Sequence, residues 1–192
     1  MRVKICGITR IEDARFAEKA GADAIGVVVF SGGVSRRAVP LDRAQAIFDA
    51  VGPFTATVAV SHTKSEQELA HMIALHPRAI QISHPFKFEK DPGVQVIRVI
   101  GRGDPLPEDC DAIIIDDSHG KGKKYDPSYA LDAVEHSTIP VILAGGLTPE
   151  NVGDAIRRIH PYAVDVASGV EERPGIKDHK KIAAFIAAAQ EV

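Results

Sequence analysis

The sequence predicts an α/β fold, a single-domain (β/α)8 TIM barrel of minimal size. Eight short runs rich in valine and isoleucine recur along the whole chain, and helical patterns lie between most of them. Most of the runs are continuous rather than alternating, which is typical of strands that are covered on both faces in a parallel sheet. The 192 residues allow 24 residues for each of eight units, whereas the fold usually has a total of about 250 residues.

The predicted elements alternate from strand to helix, with no linker or change of composition, so residues 1–192 are assigned to one domain. The predicted strands are residues 3–6, 24–30, 55–60, 79–82, 94–100, 112–116, 140–144 and 163–167. The predicted helices are residues 11–20, 41–51, 66–75, 127–135, 149–159 and 179–190. An open doubly wound sheet is the alternative, but no GxGxxG follows the first strand and no P-loop signature is present.

Four helix starts are marked by side chains that can accept hydrogen bonds from the unpaired first amides of a helix. They are Thr9 with Glu12 and Ser65 with Glu68 in capping-box spacing, and Asp126 and Thr148, each before a proline. The connections at 83–92 and 101–111 are irregular, and the second holds two glycines and two prolines. The fourth and fifth helices are therefore expected to be short or missing.

Composition excludes several functional classes. A net charge of −3 provides no strong field for nucleic acid or an anionic membrane. No apolar run approaches the roughly 18 residues that span a bilayer, and the start of the chain does not resemble a signal peptide, so a cytoplasmic location is expected. The two cysteines lack CxxC spacing and the histidines lack HxH or HExxH patterns, so we expect no disulfide framework and no metal.

Cys6 ends the first predicted strand, and barrel active sites lie at the carboxyl ends of strands. A lone cysteine is more often a small buried apolar residue than a reactive one. Its position beside Gly7 and ahead of a helix that begins near Thr9 favours the thiolate, which can act as a base or nucleophile. Cys110 lies in a proline-rich connection and is interpreted as structural.

Asp116 directly follows the sixth predicted strand. A carboxylate at the end of a buried strand is costly unless it is hydrogen-bonded or used in chemistry, although a turn cap is the competing interpretation. Successive strand residues point to opposite sides. Asp117 is therefore interpreted as the cap, and Asp116 is the candidate for proton transfer.

Two loops of small residues, Gly145–Gly146 and Ser168–Gly169, follow the seventh and eighth predicted strands. Loops at these two strands commonly bind phosphate in barrels, because their backbone amides can approach a ligand closely. Tight turns are the alternative explanation. Arg36 and Arg37 offer a guanidinium to an anion, or else are solvated loop charges.

Four stretches resemble the phosphoribosylanthranilate isomerase family of tryptophan biosynthesis. They are KICGIT at 4–9, ADAIGVVVF with SRRAV at 22–39, LAGGLTPENV at 143–152 and VDVASGVEERPGIKD at 164–178. They span nearly the whole chain in the family's order, and the first and last are specific signatures. The resemblance implies a small barrel with a reduced fifth helix and a cofactor-free Amadori rearrangement of a small-molecule substrate, without nucleic-acid or membrane partners.

The resemblance also implies roles for particular residues. Cys6 is the base that takes the proton from C2′, and Asp116 is the acid at the ring oxygen. Arg37, the second arginine of SRRAV, pairs with the anthranilate carboxylate, and Asp165 helps to orient the substrate. The sugar phosphate rests on amides around Gly145, Gly146, Ser168 and Gly169.

Some features depart from the family pattern. The loop at 31–34 lacks the usual proline, QISHP at 81–85 replaces the commoner QLHG, and the loop at 118–124 is short and basic. These departures leave the choice between Arg36 and Arg37 open, as well as the substrate range; the oligomeric state is not predicted.

Three other functions fit the sequence less well than the isomerase. An indole-glycerol-phosphate synthase needs catalytic lysines at strand ends, but Lys4 lies two residues before Cys6, deeper on the same side. A metal-dependent epimerase needs inward histidine and aspartate ligands, which the pattern lacks. The presence of both Cys6 and Asp116 weighs against a noncatalytic barrel that binds a phosphorylated metabolite.

Overall fold

A computed structural model describes residues 1–33, 35–88, 91–116 and 125–192. Eight parallel strands form a closed barrel in sequence order, so the predicted fold class is confirmed. The barrel strands are β1 (Arg2–Ile5), β2 (Ala24–Val28), β3 (Ala56–Ser61), β4 (Ala79–Ile82), β5 (Gln95–Ile100), β6 (Ala112–Ile115), β7 (Val141–Leu143) and β8 (Ala163–Val166). The helices are α1 (Ile11–Ala20), α2 (Leu41–Phe48), α3 (Glu66–Ile73), α4 (Pro127–His136), α5 (Val152–Ile159) and α6 (His179–Gln190).

A short segment with its own secondary structure connects β8 to α6. It consists of a three-residue 3-10 turn at Ser168–Val170 and an antiparallel pair, β9 (Glu171–Arg173) with β10 (Ile176–Lys177). Strand patterning did not reveal this pair. Among the described residues no helix is long and apolar enough to cross a membrane.

The barrel has two apolar layers. Isoleucine, valine and alanine side chains between the strands and the outer helices form the larger layer. The narrower interior of the barrel holds Val28, Val58, Val60, Ile97, Ile114 and Ile142 together with small alanines and Cys6. Small residues and β-branched residues fit this interior because side chains from alternate strands must interdigitate there.

The connections before and after β5 contain no helix within the described residues, as the sequence predicted. Arg98 on β5 links them. Its buried guanidinium donates to the carbonyl oxygens of His84, at 2.8 Å, and Phe86, and it pairs with Asp109 at 3.2 Å. One side chain thereby joins the backbone of the connection before β5 to the connection after it.

Two of the four predicted caps are confirmed. Ser65 accepts a hydrogen bond from the Glu68 amide at the start of α3, and Asp126 accepts from two amides at the start of α4. The cap predicted at Thr9 is wrong, because Arg10 occupies the N-cap of α1 without a side-chain hydrogen bond and the Thr9 hydroxyl donates to the Gly175 carbonyl.

The start predicted for α5 is also wrong. The helix begins at Val152, not at Pro149, and Asn151 is its N-cap residue. The Asn151 side chain turns back along the preceding loop, accepting from the Thr148 amide at 2.8 Å and donating to the Gly146 carbonyl at 3.0 Å.

The barrel closes where β1 pairs with β8. In this register Lys4 lies opposite Asp165, and the two side chains form a buried ion pair at 2.7 Å. The amide of Cys6 extends the seam by donating to the Val166 carbonyl at 2.8 Å. The seam therefore places Cys6 at the carboxyl end of the barrel, directly above an ion pair.

Candidate active site

A cavity at the carboxyl ends of the strands is lined by four of the predicted site residues. They are Cys6, Arg37, Asp116 and Asp165. Gln81 and His62, at the ends of β4 and β3, also line it. The site thus combines a thiol, two carboxyl groups and a guanidinium at the end of the barrel where catalytic groups are expected.

Cys6 is buried, with 7% of its surface exposed. Burial raises the pKa of its thiol, and the positive charge and hydrogen bond of Lys4 offset this only in part. The expectation that the position of Cys6 favours the thiolate is therefore wrong: α1 begins only at Ile11, and the effect of burial on the thiol outweighs that of the nearby positive charges. Cys110 is partly buried and lies in the connection between β5 and β6, away from this cavity.

A polar network lies beneath Cys6 in the barrel interior. The ammonium group of Lys4 donates to Asp165 at 2.7 Å and to Gln81 at 3.0 Å. Burial alone lowers the pKa of Lys4, but the neighbouring Asp165 and Cys6 more than offset it, and the net pKa is well above its usual range. Lys4 is therefore a fixed positive charge within hydrogen-bonding reach of the Cys6 sulfur.

Asp165, predicted to orient substrate, has one oxygen engaged by this lysine. It is buried, and burial raises the pKa of its carboxyl group even though Lys4 opposes that effect. It still lines the cavity.

Arg37 makes a two-pronged ion pair that the sequence did not indicate. Its Nε and Nη2 atoms donate to the two carboxylate oxygens of Glu171, each at 2.8 Å. Arg37 is partly buried and lines the cavity, whereas Arg36 is exposed. The structure thus places the second arginine, and not the first, beside Cys6 and Asp116.

The two predicted phosphate loops pack against one another. A Cβ atom on Gly169 would lie 1.9 Å from the Leu147 carbonyl oxygen, so only glycine permits this approach between the loops after β7 and β8. Gly145 and Gly146 have φ values of 94° and 66°, in the left-handed region. Within the described chain, no acceptor pairs with the amides of Gly145, Gly146, Ser168 or Gly169.

Asp116 lies at the end of β6, is partly exposed and faces the cavity. Asp117, predicted to be a cap, and the basic loop at 118–124 lie outside the described residues. In the described part of the chain, no group of three histidine, cysteine, aspartate or glutamate residues is arranged to hold a metal ion.

Sequence reasoning missed Glu171, Lys177 and Asn151. All three lie in the stretches that resemble the isomerase family, but a charged residue in a loop does not reveal its partner. Glu171 pairs with Arg37, 134 positions away, and with Lys177 across the β9–β10 pair, whereas Asn151 bonds to the backbone. The charged character of the EERPGIK segment was the one available signal for the first two.

Comparisons with known proteins give a consistent result. A family model described as N-(5'-phosphoribosyl)anthranilate (PRA) isomerase matches residues 3–188. A Methanoregula boonei protein named N-(5'-phosphoribosyl)anthranilate isomerase is 65% identical over 191 residues, which cover 100% of this chain and 97% of that protein.

Solved structures agree over the full length. The phosphoribosyl anthranilate isomerase of Thermus thermophilus is 33% identical, with a TM-score of 0.86 and coverage of 100% of this chain and 99% of that chain. A second isomerase, solved with reduced 1-(o-carboxyphenylamino)-1-deoxyribulose 5-phosphate, is 31% identical with a TM-score of 0.82 and full coverage of both chains. On the family match and these relatives, the chain belongs to the N-(5'-phosphoribosyl)anthranilate isomerase family.

Proposed function

We propose that this chain catalyses the Amadori rearrangement of N-(5-phosphoribosyl)anthranilate to 1-(2-carboxyphenylamino)-1-deoxyribulose 5-phosphate in tryptophan biosynthesis, without a cofactor. The observation that carries the proposal is the shared cavity of Cys6, Asp116 and Arg37 at the carboxyl end of the barrel. The rearrangement needs an acid, a base and an anchor for the ring carboxylate, and this cavity holds one residue suited to each task. The relatives' names support the choice of substrate.

In the first step, Asp116 donates a proton to the ribose ring oxygen as the bond from C1′ to that oxygen breaks. This leaves a 4′-hydroxyl group and an open-chain iminium ion. In the second step, the Cys6 thiol first releases its own proton to solvent, and the resulting thiolate takes the proton from C2′. The electron pair of the broken C–H bond forms a C1′–C2′ double bond while the nitrogen becomes neutral. The resulting enaminol gains a proton at C1′ and loses one from the 2′-hydroxyl, which gives the ketone.

The raised pKa of Cys6 fits this order of events. In the free enzyme burial favours the neutral thiol. A positive iminium nitrogen beside the sulfur lowers the pKa of the thiol again, because an opposite charge favours the charged form. Lys4 contributes a permanent charge of the same sign from below. The thiolate form of Cys6 is therefore favoured when the intermediate that needs a base has formed.

The two ends of the substrate, its aromatic carboxylate and its phosphate, bind at sites away from the reacting C2′ carbon. Arg37 binds the aromatic carboxylate, since a guanidinium matches a carboxylate with two parallel hydrogen bonds. The amides of Gly145, Gly146, Ser168 and Gly169 bind the phosphate. Asp165 contributes to orientation from the cavity floor.

The test is the loss of anthranilate fluorescence when freshly made phosphoribosylanthranilate is added to the purified protein. Turnover by the parent protein is expected, and Cys6→Ala should lower kcat by about 10²- to 10⁴-fold, the usual contribution of a positioned proton-transfer group. The matched control is Cys110→Ala, which removes the other cysteine and should retain kcat. No turnover by the parent, or normal kcat in a folded Cys6→Ala protein, contradicts the proposal.

A further inference from the structure

Glu171 occupies one edge of the Arg37 guanidinium. The two hydrogen bonds, from Nε to Oε1 and from Nη2 to Oε2, are each 2.8 Å long, so the planar groups of the two side chains are aligned. Arg37 lines the cavity with Cys6 and Asp116, and the edge turned away from Glu171 carries Nη1 and the second proton of Nη2. A substrate carboxylate would approach that edge.

Other donors hold Glu171 itself in place. Its Oε1 atom accepts from the Lys177 ammonium and from the Gly175 amide, each at 3.1 Å. Lys177 also donates to the Ala167 carbonyl at 2.9 Å, and Lys181 donates to the backbone carbonyl of Glu171 at 3.0 Å. Glu171 is buried, so its carboxylate is shielded from bulk water.

The backbone of Gly7 restricts the Arg37 side chain on the side away from Glu171. A Cβ atom on Gly7 would lie 2.5 Å from Cδ of Arg37, so the arginine stem crosses the bare backbone of Gly7. Glycine is also the residue best suited to the φ of 72° found there. Arg37 is thus confined between Gly7 and Glu171, and its guanidinium is fixed before a substrate binds.

Resting on the function proposed above, we propose that Glu171 is a positioning residue that orients Arg37 toward the aromatic carboxylate of the substrate. Glu171 does not touch the substrate. Together with Lys177 and Arg37 it forms a cluster of two cations and one anion, whose single net positive charge complements one carboxylate. The preference for a carboxylated ring therefore depends on Glu171, although only Arg37 contacts the ring carboxylate.

The experiment compares two ligands that differ in one group. Reduced product analogues, with and without the ring carboxylate, are titrated against the parent protein, Arg37→Ala, Glu171→Gln and the double variant. The parent should prefer the carboxylated analogue by about 10- to 100-fold, as expected for a charge-assisted pair. Glu171→Gln should lose most of this preference, because its amide donor faces the donors of Arg37 and Lys177, yet it should bind the second analogue within about 2-fold of the parent.

Three comparisons make the result decisive. The neighbouring Glu172 is exposed, so Glu172→Gln should keep the full preference. The double variant should resemble Arg37→Ala, because the two residues act through one contact. Arg37→Lys keeps the charge but cannot form the fork, and it should lose most of the preference.

Full preference in Glu171→Gln or in Arg37→Lys overturns the proposal, as does equal weakening of both analogues by Glu171→Gln, which indicates a structural role alone. Failure of the proposed function is distinct, since the parent itself would then show neither turnover nor a preference for the carboxylated analogue.

Discussion

At Gly26 on β2, the absence of a side chain determines where two reactive groups lie. A Cβ atom there would be 2.8 Å from the sulfur of Cys6 and 3.2 Å from Nζ of Lys4. The thiol and the ammonium group therefore occupy the space that a larger residue would fill. The short distance at which the charge of Lys4 lowers the pKa of Cys6 therefore depends on Gly26, which has no functional group.

Asp116→Asn is the residue-scale prediction for the acid. An amide cannot donate an acidic proton to the ring oxygen, so kcat should fall by about 10²- to 10⁴-fold. The matched control is Asp117→Asn, which should keep most of the activity, since the sequence pattern predicts that only one of two successive residues faces the site. Both values come from the fluorescence assay, and the reverse ranking would refute the assignment.

Single residues differed in how well the sequence predicted them. The rule that strand ends converge predicted that Cys6 and Asp116 share one cavity, and the family resemblance chose Arg37 over Arg36. The inward direction of Lys4 followed from alternation with Cys6. The sequence could not show that Glu171 pairs with Arg37. The two residues are 134 positions apart in the chain, and their contact depends on how the segment between β8 and α6 folds.

At the scale of elements, the loops after β7 and β8 act as one unit. Gly169 packs so closely against Leu147 that only glycine fits there, and this contact joins the two loops. The side chain of Asn151 connects the first loop to the start of α5 by two hydrogen bonds. Substitution of these glycines would strain the backbone as well as obstruct a phosphate. Asn151 offers a cleaner probe, because its side chain braces the loop without lining the site.

Asn151→Ala should weaken phosphate binding. Loss of its bonds to the Thr148 amide and the Gly146 carbonyl releases the loop, so the affinity for a phosphorylated reduced product analogue should fall by about 5- to 30-fold, equivalent to roughly 1–2 kcal/mol. The analogue without phosphate should bind almost unchanged. Ser168→Ala is the control and should bind both normally, since the backbone amide remains. Equal affinity of the parent for both analogues, or normal binding of the phosphorylated analogue by Asn151→Ala, would contradict this prediction.

The helix starts show why local patterns predicted some elements and not others. Ser65 and Asp126 accept hydrogen bonds from amides in the first turns of their own helices, and there the local rule holds. The Thr9 hydroxyl instead meets the Gly175 carbonyl, 166 positions away in the chain. A distant acceptor thus competes with the local cap, and a single sequence does not contain that information.

For the whole molecule, Asp13 joins the first helix to the last. Its fully buried carboxylate accepts from Arg10 at 2.8 and 3.0 Å, from His179 at 2.9 Å and from the Lys177 amide at 3.3 Å. Burial alone raises the pKa of Asp13, but these hydrogen bonds more than offset that effect, and the net pKa lies below its ordinary value of 3.8.

Acid should therefore weaken the closure of the ring of helices. A folded-state pKa below the unfolded value contributes stability above about pH 4, and this stability is lost as the pH falls through the folded pKa. Asp13→Asn should reduce the free energy of unfolding at pH 7 by about 1–3 kcal/mol and should flatten its decline in acid. Urea unfolding at pH 7 and below pH 4 measures both effects.

The control is Asp49→Asn at the exposed end of α2, where the carboxylate lies at the surface. This variant should follow the parent at every pH. An Asp13→Asn protein with the parent's full acid sensitivity would contradict the assignment.

The pairing of Lys4 with Asp165 also has a consequence for how the chain reaches its native state. The pair lies in register across the seam where β1 meets β8, in an interior otherwise lined mainly by apolar side chains. A slip of one residue would turn the ammonium or the carboxylate toward the helices and leave the other charge buried alone, which is strongly unfavourable. The ion pair beneath the candidate base therefore also favours the native register between β1 and β8 over shifted registers. The barrel cannot close correctly without forming the ion pair at the base of the cavity.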